Sequence, residues 1–222
     1  MYRVCSAEPC ANYGKPYKLK VLTALSDTYL HMDVSAFQEP KKGNYYCGDS
    51  YFYHESEHEF ICVLADGLGS GEFAKESSQV VVDVIQDHVH SGIDELIRRS
   101  NEVLVGKRGV VLGILKVDYR AGTYSFTSIG NIGIMTITSG KRERCIPSQG
   151  FLAGYPRKYK ISRGILQDDM IFVMFSDGVS DNELTQDLFK EKDVRKIRDM
   201  FALSKQKPHK DDITMIAMKY TE

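Results

Sequence analysis

The stretch "EFICVLADGLGSGEFAKESS", Glu59 to Ser78, is an apolar run, a glycine-rich turn and the opening of a helix. Nucleotide-binding turns share this outline, because free backbone N–H groups at a helix N-terminus receive phosphate. Asp66 argues against that reading. It stands at the mouth of the turn, where a carboxylate repels phosphate unless a cation lies between them. The glycines at 67, 69 and 71 run G-x-G-x-G, which is not the dinucleotide spacing, and there is no P-loop lysine. The stretch therefore poses the question of a bound metal.

Working outward, "TYLHMDVSAF" and "SYFYHE" read as strands before the apolar run. A helix is expected from Ser70, a capping-type residue, with Glu72 in its first turn. Phe73, Val80, Val81, Val84 and Ile85 recur near a 3.6 period. "SGID" at Ser91 to Asp94 has the form of a capping box and opens a second helix, with Ile93, Leu96, Ile97 and Leu104 on one face. "GVVLGILKV", "TYSFTSI" and "IGIMTIT", separated by turn signals, read as an antiparallel meander. Tyr124 and Phe126 alternate with Ser125 and Thr127, so one face packs and the other looks outward. "MIFVMFSDG" is a further strand, "NELTQDLFKEKDVRKIRDMFAL" reads as helical, and "DITMIAMKY" closes the chain. Strands joined by tight turns with helices grouped between them predict an α+β fold.

Residues 21–222 are expected to form one domain preceded by an extension over 1–20, and that length buries a core without disulfides. Twenty-nine basic residues balance 30 acidic ones, so no global field favours nucleic acid or an anionic membrane. No apolar run is long enough to span a bilayer, and the first residues lack a signal peptide's core, which points to the cytoplasm. The five cysteines form no C-x-x-C and suit a reducing compartment.

Four aspartates stand at strand ends: Asp49 in "CGDSYFY", Asp66, Asp177 in "FSDG" and Asp211 in "KDD". Any one is an ordinary turn residue. Together, two apolar strands ending identically in Asp-Gly suggest carboxylates converging on one rim, where like charges need a counter-cation. An all-oxygen donor set favours Mg²⁺ or Mn²⁺ over Zn²⁺. Gly67, with no side chain, leaves its own carbonyl open to a metal. Two such ions about 3.5–4 Å apart would support phosphate ester hydrolysis. A zinc pair at His54 and His58 is not expected, since i, i+4 spacing does not converge on a strand and turn. His88 and His90 read as charges near a helix C-terminus. "PRKYKISR", Pro156 to Arg163, reads as a solvated loop.

On "CGDSYF", "ADGLGSG", "FSDGVSD" and "KDDITMIAM" the chain resembles the metal-dependent serine/threonine protein phosphatase (PPM) family. "KRGVVLGILKV", "SIGNIG" and "GFLAGYPRKYK" narrow the resemblance to small stressosome phosphatases of the sigma-B general stress pathway. The resemblance implies an α-β-β-α sandwich of two antiparallel sheets flanked by helices, with two Mn²⁺ or Mg²⁺ ions at one rim. By motif position Asp66 would bridge the ions, the Gly67 carbonyl would bind one, and Asp177 and Asp211 the other. Asp49 would hold metal-bound water. The implied clients are the phosphorylated stressosome proteins RsbS and RsbR. Another phosphorylated anti-sigma-antagonist domain is the alternative client, and a non-catalytic docking module the alternative function.

Three positions depart from the family's pattern. Leu68 replaces the histidine that many eukaryotic members carry after the first Asp-Gly, leaving leaving-group protonation to metal-bound water. Asn44 replaces their phosphate-gripping arginine, with Lys41 or Lys42 as candidate substitutes, and Asn131 replaces the aspartate of a third metal site. Asp181 is at most an auxiliary ligand.

Overall fold

The computed structural model describes residues 5–6, 30–180, 182–205 and 210–222. Two antiparallel sheets stack face to face. The first holds β1 (Cys5–Ser6), β3 (Asp49–Glu55), β4 (Glu59–Gly67), β5 (Val110–Asp118), β6 (Thr123–Ile129) and β9 (Ser162–Ile165), in the order β1-β3-β4-β5-β6-β9. The second runs β2-β11-β10-β7-β8, from β2 (Met32–Glu39), β11 (Ile213–Tyr220), β10 (Ile171–Phe175), β7 (Gly133–Thr138) and β8 (Lys141–Arg144). Helices α1 (Glu72–Gln86) and α2 (Ile93–Val103) cover the first sheet, and α3 (Val194–Ser204) covers the second. This is the expected α-β-β-α sandwich.

Alternation along the strands builds its three apolar layers. On β4, Ile61, Val63 and Ala65 meet α1 and α2, while Phe60, Cys62 and Leu64 face the other sheet. On β11, Ile216 and Met218 enter the same inter-sheet layer, and Ile213, Met215 and Ala217 turn toward α3. Strands buried on both faces carry near-continuous apolar runs, which is why β4, β10 and β11 are conspicuous in the sequence. Truncating a fully buried aromatic such as Phe172 would cost about 3–5 kcal/mol.

Several expectations are corrected. Gly71, not Ser70, is the N-cap of α1, at φ +73° and with no side-chain cap. Phe73 is 63% exposed, and the buried face consists of Ala74, Ser77, Ser78, Val81, Val82 and Ile85. Ser77 and Ser78 return their hydroxyls to the carbonyls of Phe73 and Lys75, so small residues bring the helix close to the sheet with no unpaired polar group. The capping box at Ser91 does not form; α2 starts at Ile93 with Gly92 as N-cap and no side-chain cap. The three central strands are not one meander. β5 and β6 pair, but β7 leaves for the second sheet, where it lies between β10 and β8. Gly130, at φ +98°, makes the transfer: Ile129 before it packs under the helices, and Ile132 after it packs between the sheets. Thr127, expected to look outward, is buried and donates to the Lys160 carbonyl.

The polar segment after β10 is less helical than expected: a single 3-10 turn at Leu188–Lys190 precedes α3, whose cap is Asp193 accepting from the Arg195 N–H. Ser162 and Arg163, read as loop, belong to edge strand β9. Within the 1–20 extension, Cys5 and Ser6 pair with Tyr53 and Phe52; Cys10 and Asp181 lie outside the described residues. No described helix is long and apolar enough to cross a membrane.

Candidate metal centre

One rim of the sandwich gathers the strand-end aspartates. Asp49 and Asp66 are directly opposed in the β3–β4 register, and alternation points both toward the second sheet. From that sheet, Asp177 follows β10 and Asp211 and Asp212 precede β11. Like charges facing one another without a cation disfavour ionisation. Burial first, then the charges of Asp49, Asp177, Asp211 and Asp212, push the Asp66 carboxyl up to about 8. Burial likewise lifts Asp49 to about 7, against hydrogen bonds from Thr214 and Ser176 that lower it. Asp177 is raised by burial and by Asp211. All four aspartates named from the sequence therefore belong to one electrostatic cluster.

The glycines after the two Asp-Gly aspartates have a packing reason. A methyl on Gly67 would overlap the Ala74 carbonyl of α1, and one on Gly178 would overlap the Asp212 carbonyl. Each Asp-Gly is thus a strand end clamped against another backbone, fixing where the carboxylate emerges.

Asp212, the second aspartate of the "KDD" that enters the last strand, and the other supports around the cluster take roles that sequence reasoning missed. Asp212 is 5% exposed, and its two oxygens accept from the backbone N–H groups of Lys41, at 2.8 Å, and Gly48, at 2.9 Å. It ties the loop before β3 to the start of β11. The period-2 pattern Asp212, Thr214, Ile216, Met218 on the inter-sheet face was the available signal. Gln38 donates to Thr214 Oγ1 at 3.0 Å, and Thr214 Oγ1 donates to Asp49 Oδ2 at 2.6 Å. That relay leaves Asp49 Oδ1 buried with no partner. Lys75 of α1 donates to the Asp49 carbonyl and Ser50 Oγ at 3.0 and 2.9 Å, and burial lowers its pKa. Asn131 donates to Asp177 Oδ2 at 2.6 Å, so the residue in the third-site position holds a carboxylate by hydrogen bond. Leu68 packs into the inter-sheet layer, and its N–H donates to the Gly109 carbonyl. His54 lies on β3 and His58 in the turn after it, so the two do not form a helical zinc pair.

Among the described residues, no three His, Cys, Asp or Glu side chains already form a metal cage. The donor chemistry nevertheless fits a hard divalent cation. The cluster is all oxygen, Asp49 Oδ1 has no partner, and the crowding of Asp66 by four other carboxylates is what a cation relieves.

Residues 56–221 match the family described as Stage II sporulation protein E (SpoIIE). The phosphoserine phosphatase RsbX of Bacillus subtilis (strain 168) is 32% identical over 190 residues, covering 84% of this chain and 94% of that protein. A crystal structure of RsbX in complex with magnesium superposes with a TM-score of 0.80 at 30% identity, covering 86% of this chain and 96% of that one. The serine/threonine phosphatase PstP of Mycobacterium tuberculosis, at 13% identity, shares the fold with a TM-score of 0.73 over 86% of this chain and 99% of its own. With its sandwich, its rim of aspartates and these relatives, the chain belongs to the SpoIIE family of PPM-type protein phosphatases.

Proposed function

We propose that the chain is a metal-dependent phosphoserine/phosphothreonine protein phosphatase of the cytoplasm, acting on phosphorylated RsbS and RsbR and so damping the sigma-B stress response. The observation that carries the chemistry is the convergence of Asp49, Asp66, Asp177 and Asp211 from four separate strand ends, where burial and then the neighbouring carboxylates push Asp66 up to about 8. The client reading is supported by the likeness to RsbX over 84% of this chain and 94% of that protein. We further assign residues 21–222 to the phosphatase domain and 1–20 to an extension.

Asp66 and the Gly67 carbonyl would hold one Mn²⁺ or Mg²⁺, and Asp66, Asp177 and Asp211 a second. When bound, the ions supply a water nucleophile at neutral pH and neutralise charge on the phosphoryl group. The protein's part is positional. Asp212 pins the loop carrying Asp49, and the Gln38–Thr214 relay turns Asp49 so that its free Oδ1 orients water at the rim. Leu68 has no proton to give, so the residue after the first Asp-Gly is no general acid here and the leaving seryl oxygen would take its proton from water held at the metal site.

Phosphate release from p-nitrophenyl phosphate with Mn²⁺, and its loss on chelation, tests the reaction class. Asp66→Asn and Asp211→Asn should each lower kcat at least about a hundredfold while the circular dichroism spectrum is kept. Near-normal turnover by either variant would overturn the site.

A further inference from the structure

The aspartate rim is a poor host for a dianionic phosphomonoester unless cations face it, and Asn44 brings no charge. Of the basic residues beside the glycine turn, Lys75 is occupied by the Asp49 carbonyl and Ser50, and Lys107 pairs with Glu76 at 2.6 Å. Arg108 is different. It is exposed, and among the described residues it makes no hydrogen bond or ion pair.

The local fold aims it at the turn. The Leu68 N–H bonds the Gly109 carbonyl at 2.8 Å, extending the β4–β5 pairing beyond Gly67 and setting residue 108 alongside Gly69. The Arg108 guanidinium lies so close over Gly69, at φ +104°, that a methyl there would overlap it. The same guanidinium lies over the exposed Phe73 ring in a cation–π contact, its Cζ 5.3 Å from the ring centroid. A cation–π contact holds the group over the turn without using its N–H donors, and a planar fork of donors matches two oxygens of a phosphoryl group. Asp66 thus stands at one end of the turn, and the Arg108 guanidinium, with no hydrogen bond or ion pair among the described residues, lies over Gly69 three residues further along it.

We infer that Arg108 binds the phosphoryl oxygens of the substrate, the recognition cation that Asn44 does not provide. This inference rests on the phosphatase reading. Arg108→Met keeps the apolar stem over Gly69 and Phe73 but removes every donor, and Arg108→Lys restores charge without the fork. With Mg²⁺-loaded protein and p-nitrophenyl phosphate, Arg108→Met should raise KM, and the inhibition constant of inorganic phosphate, about tenfold or more, with kcat changed less than about threefold. Arg108→Lys should fall between. Arg195→Ala, at the start of α3, should change neither constant. Thermal midpoints should match, since among the described residues Arg108 makes no hydrogen bond and both variants keep its apolar stem.

Calorimetric titration of inorganic phosphate into the same proteins separates the two readings. A tenfold weakening in Arg108→Met upholds the inference even if no turnover is found, whereas absent turnover by the unsubstituted chain strikes only the phosphatase reading. Unchanged KM and unchanged phosphate affinity in Arg108→Met would overturn the inference. So would an effect confined to phosphoprotein substrates, which would assign Arg108 to protein docking instead.

Discussion

Stripped of divalent metal, the folded chain should lose stability as pH rises from 5 to 8, and Asp66→Asn should remove most of that loss. In the folded chain Asp66 titrates at about 8 and Asp49 at about 7, against 3.8 for the free side chain. Both folded values lie above the unfolded one, so the unfolded chain gives up its protons first. Their stabilising contribution is complete below pH 3.8 and disappears as pH climbs to the folded values. Each pH unit across that window is worth about 1.4 kcal/mol per carboxyl, which from pH 5 to 8 amounts to roughly 4 kcal/mol for Asp66. Asp49 acts in the same direction but shares its titration with Asp66, so the two are not summed. For a domain of this size 1 kcal/mol moves Tm by about 2–4 °C, giving a fall of roughly 8–16 °C. Differential scanning calorimetry in chelator at pH 5, 6, 7 and 8 measures it. Mn²⁺ should raise Tm more at pH 8 than at pH 5, because the cation relieves repulsion that exists only between ionised carboxylates. A metal-free Tm that is flat or rises with pH, or a slope retained in Asp66→Asn, would refute the reasoning.

Two substitutions probe the supports. Gly67→Ala drives a methyl into the Ala74 carbonyl and should cost about 1–3 kcal/mol in urea unfolding, with α1 displaced from the sheet; an unaltered midpoint would show that the turn is not clamped. Thr214→Val takes the Thr214 hydroxyl from Asp49 Oδ2 and from Gln38, and should weaken Mn²⁺ binding at least about tenfold by calorimetry, with Thr214→Ser near normal. Equal affinity in the valine variant would remove the relay from the account.

The strand carrying Asp66 and the helix after it were legible because burial on both faces leaves an unbroken apolar run, and a glycine turn marks where it stops. The sandwich itself came from the family resemblance carried by the Asp motifs. Local signals failed where tertiary partners decide. A Gly-Asn turn is the same dipeptide whether the next strand pairs back or crosses to another sheet, and only the partners of Ile129 and Ile132 separate the two. Ser70 and Ser91 have capping chemistry but stand one residue before the glycines that cap the helices. Phe73 fits the helical period yet faces solvent, where its ring meets Arg108. Around the site, residues at motif spacing were readable, and those acting through distant partners were not. Lys75 reaches the Asp49 carbonyl from a helix, and Asp212 clamps a loop about 170 residues earlier, so neither contact leaves a local trace.

The central claim is tested most directly by incubating the purified chain with phosphorylated RsbS and phosphorylated RsbR, in Mn²⁺, in Mg²⁺ and in chelator, and measuring phosphate released. Metal-dependent release from either protein, abolished by chelator and by Asp66→Asn, is the result predicted. No release from either, in a preparation that hydrolyses p-nitrophenyl phosphate with metal, would contradict the assigned client, and no metal-dependent release from any of the three would contradict the phosphatase itself.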